Sequence, residues 1–147
     1  MGSHLWWYVE PYEPDVAAVL HRVQQREFQA GRYSPVIPYP AFPVTVNSPV
    51  PGTPHDSIDD ALEAADADGT RTILDVPGLA ASEDEWGMRQ LSDEALLNLF
   101  GTTQPALTQV QASDALTEPL GRGESLYVVA YAAGQPAHLY FTGYSYD

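Results

Sequence analysis

Asp66, Asp68 and Asp75 come nearest, by type and spacing, to a metal site. With Gly69 at the glycine of a calcium loop, Asp66 and Asp68 fall at its third and fifth positions and Asp75 at its twelfth. The first position is then Ala64, which has no side-chain oxygen to offer, and Arg71 stands where an apolar eighth residue is usual. A loop that lacks its leading carboxylate and carries a cation binds calcium poorly. The segment therefore reads as a solvated helix end stopped by Gly69, and no metal is assigned.

His55-Asp56-Ser57 holds the three residue types of a hydrolase triad. Triads converge in space from separate elements, however, and no G-x-S-x-G turn presents a nucleophile. The plainer reading is a helix start, with Ser57 as cap and Asp56 near the positive end of the helix dipole. His4, His21, His55 and His138 show no paired metal-ligand spacing. The chain has no lysine and no cysteine, which removes Schiff-base chemistry, thiol catalysis, disulfides and thiolate metal sites. No cofactor is implied.

One polar aromatic surface has catalytic potential. If strands at 125–132 and 137–144 pair through a two- or four-residue turn, Leu126, Val128 and Ala130 share a face with Ala137, Leu139 and Phe141. The other face then carries Tyr127, Val129, Tyr131, His138, Tyr140, Thr142 and Tyr144. Tyr127, Tyr131, His138, Tyr140 and Tyr144 could line a pocket in which His138 or a carboxylate acts as base and a tyrosine as acid on a small molecule. The competing reading is half-buried packing beneath a helix.

The elements that would position these residues follow from periodicity and punctuation. Leu5 to Tyr12 is aromatic and β-branched and reads as a strand with one of Trp6 and Trp7 pointing inward. Asp15 caps a helix reaching Ala30 before Gly31, with Val16, Val19, Leu20 and Val23 as its apolar face. Seven prolines between 32 and 54 exclude a helix and a central strand. The interspersed Val36, Ile37, Tyr39, Phe42, Val44 and Val46 argue for an extended wrap laid over the core. Ser57 caps a helix over 58–68, 70–76 reads as a strand or an extended segment whose 72–76 stretch could join the sheet, and 77–90 is irregular. A helix runs from Ser92 to Phe100 on Leu96, Leu97, Leu99 and Phe100, and a short one spans 105–112. The expected fold is α+β, an antiparallel sheet of the C-terminal hairpin and the Trp-containing strand with helices on one face. A single domain spans 5–147, and residues 1–4 form an appended or disordered start.

Charge supplies the other functional signal. Six arginines face 20 acidic residues across 147, a net −14. Positions 56–94 alone carry twelve carboxylates against Arg71 and Arg89, a net −10. Such a chain repels phosphates, so neither nucleic acid nor an anionic membrane is an expected partner, and no apolar run is long enough to span a bilayer. With no targeting signal, a cytoplasmic location is expected, and the arginine-only, alanine-rich composition points to a GC-rich bacterial genome. On the 58–68 helix, 58, 62 and 65 form one stripe, and Asp59, Asp60, Glu63 and Asp66 are expected to face solvent. These four are the candidate binding residues. The leading expectation is a non-catalytic domain presenting them to a basic protein, as an immunity protein or antitoxin would. The alternative is a small enzyme or small-molecule-binding domain at the tyrosine face.

Overall fold

The computed structural model describes residues 3–82 and 84–147. Met1, Gly2 and Glu83 lie outside the described residues, and with them part of the expected loose start and one of the twelve carboxylates. Strand β1 (Leu5–Pro11) leads to helix α1 (Val16–Ala30), followed by α2 (Ile58–Ala65), the two-residue strand β2 (Arg89–Gln90), α3 (Asp93–Phe100) and α4 (Leu107–Gln111). The hairpin of β3 (Ser125–Ala132) and β4 (Gln135–Tyr144) ends the chain. The strand order is β1-β4-β3-β2.

The architecture is α+β, but the sheet is mixed. β1 and β3 flank β4 antiparallel, whereas β2, in the stretch expected to be irregular, runs parallel to β3 through Arg89–Leu126 and Gln90–Tyr127. Helices also cover both faces. α1 supplies Val19, Leu20, Val23 and Phe28 to a core with Trp6, Tyr8, Tyr127, Leu139 and Phe141. On the other face Leu96 of α3, Val110 of α4 and Leu116 pack on Leu126, Val128, Ala130 and Tyr140. A sheet with two apolar faces must bury both, which is why the short C-terminal helices sit opposite α1.

Among the described residues three of the four α-helices begin at a side-chain cap. The Asp15 carboxylate accepts from Ala18 N at 3.1 Å, Ser57 Oγ from Asp60 N at 3.1 Å and Ser92 Oγ from Ala95 N at 3.2 Å. Gly31 ends α1 at φ +73°, and a Cβ there would stand 2.3 Å from Gly52 O, so glycine is required both by conformation and by the passing chain. α2 stops at Ala65, short of 68. Asp66 takes φ 57° and one 3-10 turn carries the chain to Gly69. Residues 73–75, expected in a strand, form another 3-10 turn, because the Thr72 hydroxyl accepts from Leu74 N and tightens the backbone. In α3, Leu97 is exposed although it was expected on the buried face. The helix rests on Leu96, with Leu99 and Phe100 half-buried.

The proline-rich segment is a succession of turns with one 3-10 turn at Tyr39–Ala41, rather than a single extended run. Its Ile37, Phe42 and Val44 bury together as a separate cluster. Trp6 is buried and Trp7 points out, 37% exposed, with Thr45 and Val46 beside it along β1.

Candidate functional site

The four candidate binding carboxylates belong to α2 and its C-terminal boundary. Ser57 starts the helix, Ala61 and Ala65 sit in the core, and Ile58 and Leu62 are half-buried. Asp59, Asp60, Glu63 and Asp66 are exposed on the remaining surface. The buried stripe is centred on Ala61 rather than Leu62, because only a methyl-sized side chain fits where α2 approaches the core. Ala61 is wholly inaccessible.

These carboxylates have no ion-pair partner among the described residues. Among the described residues every ion pair lies outside 56–94 on its acidic side. Arg22 pairs with Glu13, Arg26 with Glu10 and Glu27, Arg32 with Glu27, and Arg71 and Arg122 with Asp147. Arg71, one of the two arginines within the acidic stretch, is turned inward. It is 6% exposed, stacks its guanidinium on the Tyr39 ring at 4.8 Å, and bonds His4 Nδ1 and the Asp147 main-chain oxygen. Its φ of 63°, in the left-handed region, makes that inward turn possible.

Beside the acidic face runs a groove of about 540 Å³ between α1 and α2. Ile58, Leu62, Leu74 and Val76 give it apolar walls, and Asp59 and Gln24 stand at it. Gln24 Nε2 donates to Ile73 O at 3.0 Å and Val76 O at 2.8 Å, tying α1 to the 3-10 turn.

The five residues of the expected polar aromatic pocket do not share a face. The turn is the two-residue Ala133-Gly134, with Ala132 opposite Gln135, but the register shifts between Ala130 and Tyr131. Tyr131 faces Pro136 and Ala130 faces His138, so Ala137 is an extra residue on β4. Beyond that bulge every side chain of β4 is inverted relative to simple pairing. His138, Tyr140 and Thr142 then lie with Ala130, Val128 and Leu126 beneath α3 and α4, while Tyr127 lies with Phe141 beneath α1. The Tyr140 hydroxyl is pushed up from its ordinary pKa by burial, and so is that of Tyr127, with Tyr12 adding to the latter. Tyr127 OH donates to Gln90 Oε1 at 3.3 Å and, with Leu79 and Arg89, lines a cleft of about 530 Å³ at the β2 edge.

The other constellations are engaged structurally. His55 Nδ1 lies 2.6 Å from the buried Tyr33 hydroxyl, which also bonds Thr53 at 2.6 Å, while Ser57 Oγ serves the α2 cap, so these residues form no relay. Asp75 does not face Asp66 and Asp68. Its Oδ1 accepts from Thr70 N and Thr70 Oγ1, both at 2.8 Å, and its Oδ2 is buried with no hydrogen bond from a described residue. Burial raises the Asp75 pKa. Among the described residues no three His, Asp or Glu side chains converge as metal ligands.

Sequence reasoning passed over one charged centre. Glu27 is fully buried, held by Arg32 through two bonds of 2.9 and 2.6 Å and by Arg26 Nε at 3.0 Å. The signal was present, since Glu27 follows Val16, Leu20 and Val23 on the inward stripe of α1, where a carboxylate requires a partner. Among the described residues no helix is long and apolar enough to cross a membrane. Compared with protein-family models, curated proteins and solved structures, the chain matches none.

Proposed function

We propose that the chain is a non-catalytic, acidic protein-binding domain whose α2 surface, Asp59, Asp60, Glu63 and Asp66, engages a basic protein, in the manner of an immunity protein or antitoxin. One observation carries this reading. Four carboxylates are gathered on one short element with no ion pair to any described residue, while the arginines are committed to Glu10, Glu13, Glu27 and Asp147 or stand away at Arg89. Uncompensated charge of this kind accelerates encounter with an oppositely charged surface by roughly 10- to 1,000-fold at low salt. The test compares the chain with a variant carrying arginine at all four positions. A partner retained by the first and lost by the second is expected, with an association rate falling at least about tenfold from low to high salt. Equal retention by both, or a rate indifferent to salt, overturns it.

The second reading, small-molecule binding, is favoured by the cleft at the β2 edge, where the Arg89 guanidinium, in no ion pair with a described residue, offers donors and the Tyr127 hydroxyl, already donating to Gln90, offers an acceptor. It draws on Tyr127 alone among the five residues of the expected pocket. Saturation-transfer screening of small carboxylates against the chain and its Arg89→Ala variant tests it, and indistinguishable spectra would remove it.

A further inference from the structure

The groove between α1 and α2 combines apolar walls with an unusual polar inventory. Both amide hydrogens of Gln24 are consumed by Ile73 O and Val76 O, so the amide has only its Oε1 left to offer a guest. Ser57 Oγ already receives the Asp60 amide, and Asp59 presents a carboxylate with no cation paired to it among the described residues. Ile58, Leu62, Leu74 and Val76 supply hydrocarbon surface beside these acceptors. His21 and Gln25 also line the groove, and no lysine or arginine stands at it, so Asp59 is its one formal charge at neutral imidazole. A site with hydrocarbon walls and acceptors at its mouth suits a side chain with an apolar stem and a donor-rich cationic head. Arginine has that form: a three-methylene stem that packs on apolar surface and a planar fork of five donors. A purely apolar anchor would leave Asp59 unanswered, and an acidic one would be repelled.

From this we infer that the α1–α2 groove is the anchor pocket for a single arginine side chain of the protein partner. Its stem lies against Leu62 and Val76, and its guanidinium sits on Asp59 and Gln24 Oε1. The inference rests on the basic-partner reading above and sharpens it. Asp60, Glu63 and Asp66 attract the partner at a distance, while the groove fixes where one of its residues lands. Binding energy at protein interfaces concentrates in such pockets, with arginine among the favoured anchors.

The test is a titration of the isotopically labelled full chain, followed by backbone amide shifts, with N-acetyl-arginine methylamide as probe. N-acetyl-norleucine methylamide, which has the stem without the head, and guanidinium chloride, the head without the stem, serve as controls. The arginine derivative is expected to perturb the amides of His21, Gln24, Leu62 and Val76 at concentrations where neither control does. The exposed substitution Asp59→Asn is expected to weaken this binding about tenfold, the loss of one charge-assisted contact. Perturbation restricted to Asp60, Glu63 and Asp66, or unaffected by Asp59→Asn, overturns the pocket and leaves the acidic-face reading standing. If the groove stays silent and a deca-arginine peptide also leaves every α2 amide unmoved, both readings fall together.

Discussion

Arg32 and Glu27 form a buried two-pronged ion pair, Nε to Oε1 at 2.9 Å and Nη2 to Oε2 at 2.6 Å, with the carboxylate wholly inaccessible and the arginine 6% exposed. The pair closes the C-terminal end of α1 onto the start of the following segment, and Arg26 links it to Glu10 of β1 at 3.1 Å. Breaking a buried pair by removing one partner costs about 3–5 kcal/mol, and loss of Arg32 leaves Glu27 only its single bond to Arg26 Nε. Arg32→Ala is therefore expected to lower the unfolding free energy by that amount in urea denaturation, whereas the double change Arg32→Met/Glu27→Leu should recover much of the loss. A single variant within about 1 kcal/mol of the parent would contradict this account.

The Tyr8 hydroxyl is buried next to this centre with the Ile73 main chain near it but no well-formed hydrogen bond to a described residue, and burial followed by the Glu27 charge pushes its pKa upward. An unsatisfied buried hydroxyl costs about 1–3 kcal/mol. Tyr8→Phe should consequently be neutral or stabilising by up to that range in thermal melts, and a destabilised variant would show that the hydroxyl is partnered.

Gly31 faces two constraints, a left-handed φ of +73° and the Gly52 carbonyl 2.3 Å from where a Cβ would stand. The conformational penalty alone is about 1–2 kcal/mol for a residue with a Cβ. Gly31→Ala is expected to exceed it because a backbone carbonyl must move as well, while Gly134→Ala, with open space at its Cβ, should cost the conformational penalty alone. Chemical denaturation of the two variants provides the comparison.

Asp75 carries a pH signature of unusual sign. Burial raises its folded-state pKa above the ordinary 3.8, so the folded protein holds this proton more tightly than the unfolded chain does. The resulting stability is fully present below about pH 3.8 and is lost as pH rises through the higher folded value. Glu13 and Asp147, lowered by burial-opposing charge and hydrogen-bond contacts, act in the opposite direction. The difference between parent and Asp75→Asn isolates the term. The parent's unfolding free energy should fall relative to the variant's across the window above pH 3.8, and parallel profiles would contradict the assignment.

Glu63 follows Asp59 by four residues and lies in the last turn of α2, where like-charge repulsion and the negative helix terminus both act against it. Glu63→Gln should raise stability by a few tenths of a kcal/mol, about 0.2–0.5. If α2 is the binding surface, the same change should slow partner association. Kinetic and melting measurements on the one variant separate a solubility surface from an interface.

Much of this was legible before any coordinates. Asp15 and Gly31 bracket α1 because capping and left-handed termination are local chemistry, and β1, β3 and the exposure of Asp59, Asp60, Glu63 and Asp66 follow from equally local periodicities. The failures are nonlocal. β2 is two residues long and exists through its pairing with β3, so no periodicity announces it. The Thr72 hydroxyl turned a strand-like run, Ile73-Leu74-Asp75-Val76, into a 3-10 turn. The aromatic pocket failed through a count of one residue at Ala137.

That single residue has a consequence for how this chain can vary over time. Ala137 offers its carbonyl to Tyr12 N and is otherwise the residue that the bulge leaves unpaired against β3. Substitutions at Ala137 leave the frame untouched and should be broadly tolerated where the side chain fits. Deleting it would leave Pro136 opposite Tyr131 and His138 opposite Ala130 in unbroken alternation, so every later residue of β4 would keep its layer, whereas inserting one residue between His138 and Leu139 would send Leu139 and Phe141 beneath α3 and α4 and bring Tyr140 under α1. The hairpin is thus open to the loss of its one unpaired residue and closed to a gain within its paired run, an asymmetry imposed by counting rather than by hydrophobicity.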